Sequence, residues 1–328
     1  MTDEPTPIRV GVLGDYHPYA DFWFNQCDRP AGRHGRIVLR PNDADADHVV
    51  LVGVPHPSVL GSSLPAFKRR IAKIRGVRDA ADLAHALDVI AREPRDVSML
   101  AYEPPDAFGD AWFWVALERC VRVYAPDERA SHPITLPATW SIHQSVDDLR
   151  ASQPVTDRPI SLACVTSGKA FWEGHRSRLG FLRALRAAGI GMDLYGTGLD
   201  ADLEPSGPVR SKVDILRGTR FTLAIENHAR EDRYVTEKLW DPLLCWSLPL
   251  YYRSRAADTL IPSDAYIRIP SLDEVGIGVV RDAIADPGLW EGRLDAIRVA
   301  RGRILGGLRL VEWMERVVVD IVRGRPSQ

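Results

Sequence analysis

The chain has 328 residues and a formal charge of −2, with 45% hydrophobic and 26% charged residues. That is the composition of a globular protein of about two domains, and it excludes a disordered or fibrous chain. No basic excess draws the whole molecule onto nucleic acid or an anionic membrane, so neither is expected as a partner.

The four cysteines, Cys27, Cys120, Cys164 and Cys245, lie far apart and form no C-x-x-C pair. They offer no zinc knuckle, redox motif or disulfide framework, and each reads as a small apolar residue in or near a strand. The N-terminus, Met1-Thr2-Asp3-Glu4-Pro5, is acidic where a secretion signal is basic and then apolar. The most apolar stretch, Trp240 to Tyr252, is interrupted by Asp241, Ser247 and Pro249 and falls short of the roughly 18 residues a membrane span needs. A soluble cytoplasmic protein is the expectation. Only five of the 42 basic residues are lysines: Lys68, Lys73, Lys169, Lys212 and Lys238. A coding bias toward arginine explains the skew, and it makes each remaining lysine worth locating.

Strands are expected at Ile8 to Gly14, Arg36 to Leu39 and His48 to Val54, the last a nearly unbroken apolar run suited to a buried parallel sheet. The run Asp43-Ala-Asp-Ala-Asp47 before it lacks the Gly and terminal Glu of an EF-hand and reads as a solvated turn. Leu83, Leu87 and Ile90 mark a helix over Ala81 to Arg92 that Pro94 ends. A strand (Val97 to Tyr102), a helix (Ala111 to Cys120) and a strand (Val121 to Tyr124) follow. From Pro126 to Arg158 the pattern loosens, and the domain junction is placed within it, at about residue 150. A second alternating set begins at strand Ile160 to Val165. It continues with helix His175 to Ala188, strand Met192 to Tyr195, helix Val213 to Leu216 and strand Phe221 to Glu226. Helix Thr236 to Cys245, strands Leu248 to Tyr252 and Tyr266 to Ile269, and helical segments from Leu272 to Arg323 complete it. Two doubly wound α/β domains are expected, 1–150 and 151–305, with ligands at the C-terminal strand ends lining a cleft between them. The last segment, 306–328, has a broad apolar face over Leu308 to Val322 and is expected as a helix crossing back onto the first domain.

The densest chemical signal is Ile225-Glu226-Asn227, then Tyr234-Val235-Thr236-Glu237-Lys238-Leu239, then Pro249-Leu250-Tyr251-Tyr252. A strand runs into a polar loop and then into a helix that Thr236 can cap. Free amides at such a helix start suit a phosphate, and Lys238 adds a point charge there. Glu237 can accept hydrogen bonds from sugar hydroxyls. An ordinary capped surface helix with both charges in solvent accounts for the same local pattern.

The ordered series resembles the signature of family 10 glycosyltransferases, the α-1,3/α-1,4-fucosyltransferases. The likeness extends over roughly Phe221 to Ile269, including Asp258-Thr-Leu-Ile-Pro-Ser-Asp-Ala-Tyr-Ile-Arg268. The loop from Asn227 to Tyr234 is one residue longer than the family's and charged at Arg230, Glu231, Asp232 and Arg233. Arg253 stands near a common family glycine. Both differences bear on which donor is held.

The resemblance implies a GT-B type fold of two Rossmann-like domains and assigns roles to other segments. Ser167-Gly168-Lys169 and the run Arg178-Leu-Gly-Phe181-Leu-Arg-Ala-Leu185 correspond to a loop and helix whose arginine holds the donor pyrophosphate, which makes Arg178 and Ser167 donor-site residues. His175 and Arg176 are nearby candidates for the same role, each read first as a solvent-facing first-turn residue. In Met99-Leu-Ala-Tyr-Glu103-Pro-Pro-Asp106, Pro104 keeps Glu103 extended at a strand end. The family's proposed general base sits at such a position, with Asp106 the fallback carboxylate; a solvated strand-end acid is the plainer alternative. Tyr16 and His17 follow the first strand as acceptor-side candidates, and Phe22-Trp23-Phe24 can either stack on sugars or bury a helix face.

The implied reaction is inverting transfer of L-fucose from GDP-β-L-fucose to an acceptor hydroxyl, with Glu103 as base. Arg178, Lys238 and helix amides would stabilise the leaving diphosphate, while Glu237 and Asn227 would bind donor hydroxyls with Tyr234 and Thr236 nearby. No divalent metal or other cofactor is required, and no metal site is read. The acceptor is a glycan, a glycolipid or a small molecule. Another donor, such as GDP-arabinose or GDP-mannose, a non-catalytic nucleotide- or sugar-binding protein, and a scaffold descended from a transferase are the alternatives.

Overall fold

The computed structural model describes residues 6–14, 25–27, 32–53, 79–103, 107–228, 232–286 and 288–324. The chain forms two compact units, Met1–Pro137 with Arg309–Gln328, and Ala138–Leu308.

The first unit is built on a seven-stranded sheet of order β2-β3-β1-β4-β5-β6-β7. Its strands are β1 (Ile8–Gly14), β2 (Arg33–His34), β3 (Ile37–Pro41), β4 (His48–Val52), β5 (Val97–Leu100), β6 (Arg122–Ala125) and β7 (His132–Pro133). Every pairing is parallel except the short β2–β3 hairpin. β4 is buried at all five positions, as its unbroken apolar run requires of a central parallel strand. The helix Ala80–Ile90 buries Leu83, Leu87 and Ile90 at helical spacing, and Asp79 caps it by accepting from Ala81 N at 2.8 Å. The turn at Asp43 to Asp47 lies before β4, where Asp47 pairs with Arg9 at 2.9 Å. The helix Leu310–Arg323 belongs to this unit. It buries Leu310, Val311, Met314, Val318 and Ile321, sets Trp313 edge-on to Tyr124 with ring centroids 4.9 Å apart, and pairs Asp320 with Arg122 at 2.6 Å.

The second unit holds an all-parallel sheet of order β12-β11-β10-β8-β9. These strands are β8 (Ile160–Ser167), β9 (Asp193–Thr197), β10 (Thr219–Ile225), β11 (Leu248–Tyr252) and β12 (Ile267–Ile269). The boundary falls at Pro137, earlier than the 150 expected from the sequence. Trp140, Ile142, Val146 and Leu149 lie in the second unit's core, and Val146–Ala151 is a helix capped by Ser145. Ala138 donates to Leu308 O at 2.7 Å, so the two ends of this unit meet.

All four cysteines are buried. Several arginines are interior rather than decorative. Arg158 is 1% exposed and donates to the carbonyls of Val155, Leu216, Thr219 and Cys245 while stacking on Trp290. A planar fork with five donors can collect carbonyls from several elements at once. Among the described residues no helix is long and apolar enough to cross a membrane.

Candidate donor site

The site lies at the C-terminal ends of β8 and β10, where open parallel sheets bind ligands. β8 ends at Ser167, and the helix Glu173–Ala187 follows the loop. Its Gly174 lies so close to Asn227 that a Cβ would collide with the Asn227 carbonyl. Glycine therefore lets this helix rest against the loop that leaves β10.

Arg178, on that helix, is 2% exposed. Its guanidinium donates to Ser167 O at 3.0 Å and to Asn227 Oδ1, so three residues singled out by the sequence are brought together. Among the described residues no carboxylate is within ion-pair distance of Arg178, and its Nε is buried without a hydrogen-bond partner. Burial pulls its pKa down from 12.5. Beside it a cavity of about 20 Å³ is lined by Thr166, Arg178, Lys212, Glu237 and Lys238, and Thr166 Oγ1 is likewise buried and unpartnered. A buried guanidinium with an unused donor, beside a small cavity lined by both charged and apolar side chains, is an arrangement that suits an anion.

Glu226 organises the other half of the site, a role the sequence reading did not give it. Its carboxylate accepts from Thr236 N at 2.9 Å, Thr236 Oγ1 at 2.8 Å and Tyr251 OH at 3.2 Å. One buried acid thus knots the end of β10 to the helix Glu237–Leu244 and to β11. Burial pushes its pKa up, against the pull of Lys238. Thr236 is the N-cap as expected, accepting from Lys238 N at 3.3 Å.

That arrangement corrects one expectation. The amides of Thr236, Lys238, Leu239 and Trp240 are all engaged, by Glu226, the Thr236 hydroxyl and the Thr236 carbonyl. The chain's own carboxylate takes the Thr236 amide and hydroxyl, so fewer donors are open to a phosphate than the sequence suggests. What this first turn offers an anion is the Glu237 amide and the Lys238 side chain, whose Nζ lies 3.1 Å from Glu237 Oε1 and 4.0 Å from Glu226 Oε2.

Glu237 is half-buried. Burial alone would raise its carboxyl, but Lys238 and Lys212 outweigh it and bring the pKa to about 2. It is therefore an ionised acceptor at any working pH. Lys212 went unassigned by motif; its Nζ pairs with fully buried Asp241 at 2.6 Å and donates to Ser141 Oγ at 2.8 Å. All three lysines among the described residues, Lys169, Lys212 and Lys238, lie in this unit, and their scarcity was the one signal that could have pointed to Lys212.

Tyr234 is 5% exposed, with its ring edge-on to His228 at 6.2 Å. His175 does not face solvent: it is 2% exposed and stacks on Trp172 with centroids 4.8 Å apart. Burial first, then Arg178 and Lys169, lower its pKa to about 4, so the imidazole is neutral. Arg176 is exposed. In the first unit Glu103 is half-buried, three residues beyond the end of β5. Tyr16, His17, Phe22, Trp23, Phe24 and Asp106 lie outside the described residues.

Comparison with known proteins adds three findings. Residues 162–276 match the model of "Glycosyltransferase family 10 (fucosyltransferase) C-term". An α-glucosyltransferase solved with UDP-glucose and DNA containing an abasic site is similar over 97% of this chain and 100% of its own, at 10% identity and a TM-score of 0.55. An α1,3-fucosyltransferase crystal structure aligns over 93% of this chain and 92% of its own, at 13% identity and a TM-score of 0.47. No curated protein sequence matches. At such identities the glucosyltransferase likeness establishes the fold alone, two parallel-sheet α/β units of GT-B type.

Proposed function

Residues 162–276 carry the C-terminal domain of glycosyltransferase family 10, and from that premise we propose that the protein transfers L-fucose from GDP-β-L-fucose to an acceptor hydroxyl with inversion. The single observation that carries the reading is Arg178, a buried guanidinium with an unused Nε and, among the described residues, no carboxylate at ion-pair distance, beside a small cavity that Lys212, Glu237 and Lys238 also line.

In this reading the acceptor oxygen bonds to the anomeric carbon as the bond to the β-phosphate oxygen breaks. The acceptor proton passes to Glu103, and GDP leaves with the bonding pair. Arg178 and Lys238 carry the charge that develops on the diphosphate. Glu237, held ionised by its two lysines, accepts from donor hydroxyls together with Asn227, while Ser167, Thr236 and Tyr234 shape the pocket. With two cations placed to meet the leaving group, no divalent metal is needed. The acceptor is a glycan, glycolipid or small-molecule hydroxyl.

A second reading, a different sugar on the same nucleotide, is favoured by Arg253. It follows β11 directly at φ 109°, a conformation that suits glycine, and its guanidinium donates to Tyr252 OH at 3.1 Å. A strained cation at the C-terminal end of β11 supports a sugar contact there.

The base assignment is tested by Glu103→Gln. Turnover with GDP-fucose and a suitable acceptor is expected to fall by about 10²–10⁴-fold, while the Kd for GDP-fucose stays at the wild-type value. Equal turnover in both proteins removes Glu103 from the mechanism. Donor binding without turnover in the wild type, across an acceptor panel, supports the non-catalytic alternative.

A further inference from the structure

In the first unit, three groups that no motif singled out converge between the β2–β3 hairpin and the helix Leu310–Arg323. His34 ends β2, and Glu312 and Glu315 stand three residues apart on one helix face. His34 Nε2 lies 3.3 Å from Glu312 Oε1 and 3.8 Å from Glu315 Oε2. One ligand atom from each residue falls within 4.8 Å of the other two. The imidazole is buried and the carboxylates are partly so, with 25% and 19% of their side chains exposed.

That spacing suits ligands sharing one ion. Around a tetrahedral ion bound at about 2.0–2.2 Å, neighbouring ligand atoms stand roughly 3.3–3.6 Å apart. The His34–Glu312 separation already falls there, and the His34–Glu315 separation needs only a small side-chain adjustment.

Both carboxylates are also held by neighbours, Glu315 through the oxygen turned away from His34 and Glu312 through the oxygen that faces it. Arg36 N donates to Glu315 Oε1 at 2.9 Å, and Arg309 Nη2 donates to Glu312 Oε1 at 2.7 Å. Outer hydrogen bonds of this kind fix metal-binding carboxylates in place. Gly35 turns the hairpin at φ 49°, and a Cβ there would strike the Glu315 carboxylate. The backbone therefore passes directly against one ligand.

The charges permit a cation. Two carboxylates face one buried guanidinium, Arg309, while the Arg36 side chain is 45% exposed and largely hydrated. One imidazole nitrogen and two carboxylate oxygens, with a fourth position open to water, form a donor set for Zn²⁺.

We propose that His34, Glu312 and Glu315 bind a Zn²⁺ ion that fastens the C-terminal helix to the β2–β3 hairpin. The role is structural, and it is independent of the donor site in the second unit.

The test uses the full chain stripped with EDTA, then titrated with Zn²⁺ by calorimetry and thermal unfolding, with Co²⁺ as a spectroscopic substitute. The expected result is one Zn²⁺ per chain, a saturable rise in Tm reversed by EDTA, and visible Co²⁺ bands of tetrahedral intensity. Both the rise and the bands are lost in His34→Gln and in Glu315→Gln. If one variant fails to fold, the other decides. No rise in the wild type, or an equal rise in the wild type and the variants, overturns the proposal and leaves a metal-free contact between the imidazole and two carboxylates.

Discussion

Replacing Lys212 with methionine is expected to cost about 3–5 kcal/mol of stability, the usual consequence of leaving one member of a buried ion pair without its partner. Asp241 is fully buried and accepts from Lys212 Nζ, Ser141 N and Ser141 Oγ. Two hydrogen bonds from Ser141 do not neutralise its charge. Burial already pushes the Asp241 pKa up, and Lys212 is the largest influence opposing that rise. The double variant Lys212→Met/Asp241→Asn removes both charges and keeps an acceptor for Ser141, so it is expected to regain most of the loss. Urea unfolding of the wild type, both single variants and the double variant measures this coupling. An additive double variant would show that the pair contributes nothing as a pair.

The second large effect belongs to Arg178. Arg178→Lys keeps a charge but loses the fork that spans Ser167 O and Asn227 Oδ1 and keeps Nε as a spare donor. Losing one charge-assisted hydrogen bond to a phosphate, about 1.5–3 kcal/mol, corresponds to roughly a 10–100-fold weaker Kd for GDP. The check is calorimetric titration of GDP into both proteins, with thermal unfolding run alongside to separate lost contact from lost fold. An unchanged GDP affinity in a folded variant would place the diphosphate elsewhere.

The fold was legible where the chain's chemistry is local. β4 shows its burial as an unbroken apolar run, and the helix Ala80–Ile90 shows its face as Leu83, Leu87 and Ile90. The junction was not legible, because Trp140, Ile142, Val146 and Leu149 are spread through a proline-rich, polar stretch without a period. Only packing reveals that they belong to the second core.

The site followed the same rule. Asn227, Thr236, Glu237 and Lys238 stand close together in sequence, and a motif could find them. The Lys212–Ser141 and Ser141–Asp241 contacts join residues 71 and 100 positions apart, which no local pattern encodes. The helix-start amides were only partly legible for a related reason. A capping pattern identifies the donors at a helix start, but not whether a distant carboxylate such as Glu226 already occupies them. His175 reads as a polar first-turn residue until Trp172 is seen stacked on it.

The measurement that bears most directly on the central claim is calorimetric titration of the wild-type chain with GDP-fucose, GDP, ADP and UDP-glucose, in EDTA. The account predicts one site per chain for GDP-fucose and GDP, no heat from the adenine and uracil compounds, and no change when divalent metal is restored. Tighter binding of UDP-glucose or ADP, or no binding of any guanine nucleotide without metal, would contradict it.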